Sequence, residues 1–186
     1  VVVMEPVKGG SLAQLPDDAC APLLRLDPEA TPASWALRWA ASLPHVQVVL
    51  SGMGSMEQLE DNLHTFQDFR PLDRREREAV TETAERLRRR LKNGCTGCGY
   101  CMPCPAVVDI PGSFQIWNGM SMYQNREITR RQWEWLDQEE RPDLCHRCGQ
   151  CERRCPQHLR IRAQLAQVTG DVARFLRGEP DGSEPI

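Results

Sequence analysis

The sequence predicts a parallel α/β segment followed by a mostly helical domain that is rich in cysteine. The first part is indicated by two valine-rich runs, at residues 1–4 and 46–50, which alternate with helical patterns. The second part is indicated by two cysteine runs with amphipathic helical patterns between and after them. The chain divides accordingly into an α/β part at 1–72, a connecting helix at 73–94, a cysteine-rich domain at 95–177 and a disordered tail at 178–186.

The composition is that of a globular protein. Of the 186 residues, 40% are hydrophobic and 26% are charged, which is a usual balance for a chain with a buried core. The net charge of -3 gives no electrostatic reason to expect a nucleic acid or an anionic membrane as a partner. No apolar stretch is long enough to predict a membrane span, and no signal-peptide pattern is present. We therefore expect a cytoplasmic protein.

The α/β part begins with a predicted strand. Residues 1–4 are an unbroken apolar run, typical of a strand that is buried on both faces. Residues 11–31 predict a loop with at most a short helix, and Thr31-Pro32 begins a helix that Pro44 stops. A second strand is predicted at residues 46–50. Two strands cannot form a stable parallel sheet alone, so we expect another chain, or a longer form of this one, to supply the rest.

The turn after the second predicted strand is a candidate anion site. Residues 52–54 are Gly-Met-Gly, and Ser55 with Gln58 then predicts a capping box at the start of a helix. Backbone N–H groups at such a turn can bind phosphate, but an ordinary tight turn has the same sequence, and both readings stay open. The helix is expected to pack through an apolar stripe formed by Leu59, Leu63 and Phe66.

Residues 73–93 predict a long helix that Asp73 caps and Gly94 ends. Its arginines alternate with glutamates, and Glu82 precedes Arg86 by four residues, as Glu85 precedes Arg89. This pattern favours a solvated face with ion pairs over the alternative, a basic docking surface. The expected apolar face consists of Val80, Ala84, Leu87 and Leu91.

Eight of the nine cysteines lie in two runs of similar spacing, and a proline follows the fourth cysteine of each run. Two-residue gaps turn successive thiolates toward one centre, and the Cys-Pro step sends the fourth thiolate to the neighbouring centre, as in two-cluster bacterial ferredoxins. The spacing therefore predicts two [4Fe-4S] clusters that exchange their fourth ligands. The predicted ligands are Cys95, Cys98, Cys101 and Cys104 in the first run, and Cys145, Cys148, Cys151 and Cys155 in the second.

Zinc and disulfides are the alternative uses of these cysteines. Zinc needs only four ligands, usually from two separated Cys-x-x-Cys pairs. Disulfides need an oxidising compartment, and cysteines two or three residues apart cannot all pair without strain. The first run departs from the ferredoxin spacing, since two residues rather than three separate Cys101 from Cys104.

Helical patterns follow each cysteine run. Two short helices are predicted at residues 113–123 and 128–136, and a longer amphipathic one after Pro156. Water exclusion helps to set the potential of a cluster, so we expect the large apolar residues of the first two helices to cover the clusters. These residues are Phe114, Ile116, Trp117, Met120, Met122, Trp133 and Trp135.

Parts of the first 62 residues resemble the last two βα units of an aldo/keto reductase barrel. The stretches that carry the likeness are Val-Val-Val-Met-Glu-Pro-Val-Lys-Gly-Gly at 1–10, Ala-Leu-Arg-Trp at 36–39, Val-Val-Leu-Ser-Gly-Met at 48–53 and Glu-Gln-Leu-Glu-Asp-Asn at 57–62. The two cysteine runs then resemble the C-terminal ferredoxin-like extension of one group of these reductases. The resemblance implies the C-terminal part of such a protein: a fragment of a TIM-type barrel followed by a helical ferredoxin-like domain.

The resemblance also implies contacts with a nicotinamide cofactor. In that family the loop after the seventh strand touches the pyrophosphate, and the turn and helix after the eighth strand hold the adenosine phosphate and adenine. No Lys or Arg lies in residues 51–62, so the resemblance does not choose between NAD and NADP. The corresponding residues are Val7, Lys8 and Gly9 in the first loop, and Gly52, Met53, Ser55, Gln58, Asp61 and Asn62 in the second.

The family's catalytic Asp, Tyr, Lys and His come from earlier strands that this sequence lacks, so no catalytic residue is predicted here. We expect electron transfer through the two clusters, coupled to nicotinamide-dependent carbonyl reduction in the full-length protein. The expected partner is a redox protein or the missing barrel portion. The alternatives are a non-enzymatic electron carrier or docking module, and clusters that only stabilise the fold.

Overall fold

The computed structural model describes residues 1–179, which fall into two compact units that divide between Arg89 and Arg90. The predicted tail lies outside the described residues except for Gly178 and Glu179. No helix within this described part combines the length and hydropathy that crossing a membrane requires.

The first unit contains a two-stranded parallel sheet. Strand β1 (Val2–Val3) pairs with β2 (Val48–Val49), so that Val2 lies opposite Val48. Both predicted strands are present, but each is shorter than its valine-rich run. The expectation of a strand buried on both faces is wrong for this chain, because Val2 is 58% exposed and Met4 is also exposed. Residues 1–179 supply no further strand to either edge of this sheet.

Four helices complete the first unit: α1 (Asp17–Leu24), α2 (Pro32–Ala41), α3 (Met56–Gln67) and α4 (Arg74–Arg88). Helix α2 begins as predicted, since the Thr31 hydroxyl accepts the backbone N–H of Ser34. Only half of the capping box predicted for α3 forms. The Ser55 hydroxyl accepts the N–H of Gln58, whereas the side chain of Gln58 accepts the N–H of Gly54.

The core of the first unit lies where α1, α2 and α4 meet. Helix α4 ends at Arg88, short of the predicted Gly94, and its predicted apolar face is partly wrong because Leu91 is exposed. The stripe predicted for α3 is also exposed at Leu63 and Phe66, so α3 buries none of its residues in this chain. The predicted Glu82–Arg86 ion pair forms at 2.7 Å. The buried apolar residues of this core are Cys20, Leu23, Trp35, Leu72 and Ala79.

The second unit is helical. Its helices are α5 (Ile110–Tyr123), α6 (Arg126–Trp135), α7 (Gln150–Arg154) and α8 (Ile161–Arg177), with short 3-10 turns at Gln138–Glu140 and Pro142–Leu144. The three predicted helices are confirmed. Helix α5 begins three residues earlier than expected, because the Asp109 carboxylate accepts the N–H of Gly112 and caps it. The apolar faces of α5 and α8 form the core against which both cysteine runs pack.

Candidate iron–sulfur site

The two cysteine runs share a backbone conformation at matching positions. Gly97 and Arg147 each lie two residues after the first cysteine, with φ of 68° and 55°, and Gly99 and Gly149 each follow the second cysteine with φ of 76°. Turns of this kind point backbone N–H groups into a concavity that binds anions, and many iron–sulfur sites are built on them. Accordingly, the N–H of Arg147 donates to the Sγ of Cys145 at 3.4 Å.

The chain also leaves both runs in the same way. Val107 and His158 each lie three residues after the fourth cysteine, with φ of 60° and 52°. Their N–H groups donate to the carbonyl oxygens of Cys104 and Cys155 at 3.0 and 3.1 Å. Three residues later α5 and α8 begin, so the second unit is an internal repeat of a cysteine run, a turn and a helix.

A first cavity combines three cysteines of one run with the last cysteine of the other. Its walls are formed by Cys95, Cys98 and Cys101 from the first run and by Cys155 from the second. Phe114 from α5 contributes to the wall and is fully buried. The remaining apolar wall residues are Ile110, Pro111, Pro156, Leu159 and Ile161.

A second cavity has the reciprocal composition. Cys104 from the first run joins Cys145, Cys148 and Cys151 from the second run in its walls. Cys101 lines both cavities, so the two are neighbours. The fourth cysteine of each run thus lines the cavity that contains the first three cysteines of the other run.

The first cavity has four thiols around its wall and the second has five, with Cys101 shared, rather than a tight site for one ion. Within residues 1–179, no group of three or more Cys, His, Asp or Glu side chains is placed to hold a single metal ion. A zinc ion needs its sulfur ligands at about 2.3 Å from one atom. A cluster of four irons takes its four thiolates at separate metal atoms, so cysteines spread around a cavity fit it better.

Burial changes the acidity of the innermost thiols. It is the main cause that raises the pKa of the Cys101 thiol to about 11, and the nearby Cys95 and Cys151 add to the effect. Burial also raises the pKa of the Cys151 thiol. Since metals bind the thiolate, metal binding at these two positions must release protons.

The loop that delivers Cys95 is held by two buried asparagines. The Oδ1 of Asn118 on α5 accepts the backbone N–H groups of Lys92 and Asn93, at 3.0 and 3.1 Å. The Oδ1 of Asn93 in turn accepts the backbone N–H of Cys95 at 3.0 Å. Sequence analysis missed this pair. An Asn two residues before a ligand is a signal for such a turn, but its partner on α5 has no signal in the sequence.

The predicted apolar cover is only partly present. Phe114 lines the first cavity, and Ile116, Trp117 and Met120 are buried in the core that supports it. Trp135 is 80% exposed, so its predicted covering role is wrong. It is the last residue of α6, where the helix turns its side chain to solvent.

One arginine lies at the second cavity that sequence analysis did not single out. Arg162 on α8 lines the cavity and pairs with Glu152 at 2.6 Å, and its guanidinium also donates to the carbonyl of Arg147 at 3.4 Å. The hydrogen bond from Arg162 holds the pKa of the Glu152 carboxyl below its usual value. This ion pair ties α7 to the start of α8.

The loops predicted to contact a nucleotide follow the two parallel strands and so lie at the same end of the sheet. In the first loop, Lys8 and Gly9 have φ of 53° and 60°, and Val7 accepts the N–H of Gly10. These residues form successive tight turns, which is compatible with backbone contacts to an anion.

In the second loop, Gly52 and Met53 are exposed, and Ser55 and Gln58 are engaged in the start of α3. Further along α3, the Asp61 carboxylate accepts the hydroxyl of Thr31 at 2.8 Å, and the Asn62 amide donates to the hydroxyl of Ser51 at 3.0 Å. Asp61 therefore joins α3 to the start of α2, and Asn62 braces the loop.

Comparison with protein families matches both parts of the chain. Residues 5–85 match the sequence model of the aldo/keto reductase family. Residues 94–159, which contain both cysteine runs, match that of the 4Fe-4S dicluster domain. The chain joins an aldo/keto reductase region to a 4Fe-4S dicluster domain. The resemblance stated from the sequence is thereby confirmed, and so is the assignment of the chain as an iron–sulfur oxidoreductase with a role in electron transfer. Searches of curated proteins and of solved structures found no significant match.

Proposed function

We propose that this aldo/keto reductase–dicluster chain holds two [4Fe-4S] clusters and passes single electrons through them. Cys95, Cys98, Cys101 and Cys155 would hold one cluster. Cys104, Cys145, Cys148 and Cys151 would hold the other. The observation that carries the proposal is that each of two neighbouring cavities is lined by the first three cysteines of one run and the last cysteine of the other, with Cys101 lying between the two.

A bound [4Fe-4S] cluster accepts and releases one electron at a potential that its surroundings set. The chain supplies those surroundings in three ways. Thiolates bind the irons, the left-handed turns at Gly97, Gly99, Arg147 and Gly149 offer backbone N–H groups, and apolar side chains such as Phe114 exclude water from the first cavity. Arg162 places a positive charge in the wall of the second cavity.

The test is chemical analysis of the chain purified without oxygen. Two cubanes require about eight iron and eight inorganic sulfide per chain. Stoichiometric zinc without sulfide would overturn the proposal. About four iron per chain would show that the chain holds one cluster instead of two. Reduction by dithionite, followed by electron paramagnetic resonance, then shows whether the clusters accept electrons.

We further propose that residues 1–72 are the last two βα units of a barrel whose other strands come from the full-length protein or from a partner. The parallel pairing of β1 and β2, the exposure of Val2 and the exposed stripe of α3 support this. On this proposal the barrel would bind NAD or NADP and reduce a carbonyl compound in the cytoplasm. The predicted nucleotide residues would then contribute to that site.

The competing function is an electron carrier or docking module without catalysis of its own. The same exposed apolar residues at β1 and α3 favour it equally, since a partner subunit could cover them. Measuring catalytic turnover distinguishes the enzyme from the electron carrier or docking module. The enzyme proposal expects NADPH- or NADH-dependent aldehyde reduction only when a protein carrying the four catalytic residues is joined to this chain. Turnover by the isolated chain would contradict both.

A further inference from the structure

The two cysteine runs differ sharply in charge. Residues 94–108, around the first run, contain no charged side chain, whereas residues 145–162 contain five arginines and one glutamate. The chain as a whole has a net charge of -3, so this segment is opposite in sign to the rest. We call the five arginines the basic rim: Arg147, Arg153, Arg154, Arg160 and Arg162.

Three members of the basic rim meet at one turn of the second run. A Cβ atom placed on Gly149 would lie 3.5 Å from the guanidinium carbon of Arg162 and 3.7 Å from Nη1 of Arg153. The guanidinium of Arg162 also donates to the carbonyl of Arg147. These three arginines are therefore gathered beside the second cavity and not merely close in sequence.

Residues 1–179 leave most of this charge without an ion pair. Arg162 pairs with Glu152, the one acidic residue of the segment. For the other four members of the basic rim, residues 1–179 provide no ion pair, and all four are exposed. Arg147 and Arg162 line the second cavity, where they would offset the negative charge of a thiolate-bound cluster. Arg153, Arg154 and Arg160 line neither cavity, so that role does not account for them.

The difference in charge between the two runs is not matched by a difference in the exposure of their cysteines. Cys98 in the first run and Cys148 in the second are both exposed, so each site has one thiol at the surface. What distinguishes the second site is the positive charge around its exposed thiol. Charges at the edge of a protein contact mainly accelerate encounter and select the partner by sign.

We propose that the basic rim docks an acidic one-electron carrier protein over the second cluster. This rests on the proposed function, since it requires a cluster at the second site. In the docked complex one electron passes from the reduced cluster to the oxidised centre of the partner, or back, and no bond forms and no proton moves. A nucleic acid is the competing occupant of a basic surface, but Arg147 and Arg162 line the same cavity as the exposed Cys148 thiol, a position that electron transfer requires and nucleic-acid binding does not.

The experiment uses the cluster-loaded chain and a small acidic [2Fe-2S] ferredoxin as the probe, with binding measured by calorimetry at low salt. The test variant is Arg153→Gln/Arg154→Gln. The matched control is Arg130→Gln/Arg131→Gln, which removes two adjacent exposed arginines from α6 in the same unit and leaves both cavity walls intact. We expect the test variant to bind about five- to tenfold more weakly than the control. At 0.5 M salt, where screening acts within a few Å, the difference should nearly vanish.

Three results would overturn the inference. The first is an equal loss in both variants, and the second is equally tight binding of a basic c-type cytochrome. The third is binding of duplex DNA that the test variant loses while ferredoxin binding is unchanged. Iron and sulfide content, with the spectrum after dithionite reduction, is measured on every sample. Normal clusters without ferredoxin binding refute the docking inference alone, whereas absent clusters refute the proposed function and the inference with it.

Discussion

The side chain of Asn118 closes a hydrogen-bonded ring with Asn93: its Oδ1 accepts the N–H of Asn93 at 3.1 Å, and its Nδ2 donates to the carbonyl of Asn93 at 3.2 Å. Both residues are buried. Asn93 then fixes the backbone N–H of Cys95, so a residue on α5 sets the position of the first predicted ligand. Asn118 is therefore a positioning residue of the first site.

Asn118→Ala should loosen the first site. The substitution leaves the buried N–H groups of Lys92 and Asn93 without an acceptor, which destabilises by about 1–3 kcal/mol. We expect faster iron release on exposure to a chelator, with about half of the iron affected. Asn125→Ala is the control, because Asn125 caps α6 and should lower stability by about 1 kcal/mol without accelerating iron release. Equal release rates in the two variants would show that Asn118 only supports the fold.

Val107→Gly should stabilise the second unit. Val107 has φ of 60°, a conformation that a β-branched residue rarely adopts and that raises the free energy by about 1–2 kcal/mol. Glycine relieves this at an entropic penalty of about 0.5–1 kcal/mol, and the 59% exposure of Val107 means that little burial is lost. The measurement is denaturant unfolding of the cluster-loaded protein.

The adjacent Val108 provides a matched control for that substitution. It is fully buried in the core of the second unit and has no left-handed backbone. Val108→Gly should lower the free energy of unfolding by about 2–4 kcal/mol. If both substitutions destabilise the protein to a similar extent, the positive φ of Val107 does not raise the free energy of the folded state as predicted.

Glu76→Ala should destabilise the first unit strongly. The side chain is 9% exposed, and its carboxylate accepts the guanidinium of Arg38 at 2.8 Å and the backbone N–H of Asp73 at 2.8 Å. Removing it leaves Arg38 partly buried without its counterion, which should lower the free energy of unfolding by about 3 kcal/mol. Glu78 is the control on the same helix, since its pair with Arg74 is exposed and Glu78→Ala should change stability by less than about 0.5 kcal/mol. If both variants lose a similar free energy of unfolding, burial does not strengthen the ion pair of Glu76 relative to the exposed pair of Glu78.

The sequence predicted the local features of this chain better than its long-range ones. Helix starts at Thr31 and Asp73 are visible because the cap and its N–H partner are three residues apart. The stripe at Leu63 and Phe66 was predicted as a packed face, but periodicity shows only which residues share a face and not what covers it. Asn118 has no local pattern at all, because its partners lie about 25 residues away on a loop.

The sharpest prediction concerns which cysteines share a cluster. Crossed ligation assigns Cys98 and Cys155 to one cluster and Cys148 to the other, in accord with the two cavities. Cys98→Ala/Cys155→Ala should then remove two ligands from the first cluster and leave the second with all four cysteines. Cys148→Ala/Cys155→Ala should remove one ligand from each and leave no cluster fully ligated.

Iron analysis together with electron paramagnetic resonance of the dithionite-reduced protein distinguishes the two double variants. The Cys98/Cys155 variant should retain about four iron and one unaltered [4Fe-4S] signal, while the Cys148/Cys155 variant should show no unaltered signal. Uncrossed ligation gives the reverse result, because Cys148 and Cys155 would then share a cluster. Since both variants lose the same number of thiols and both lack Cys155, a general loss of stability cannot produce the predicted order.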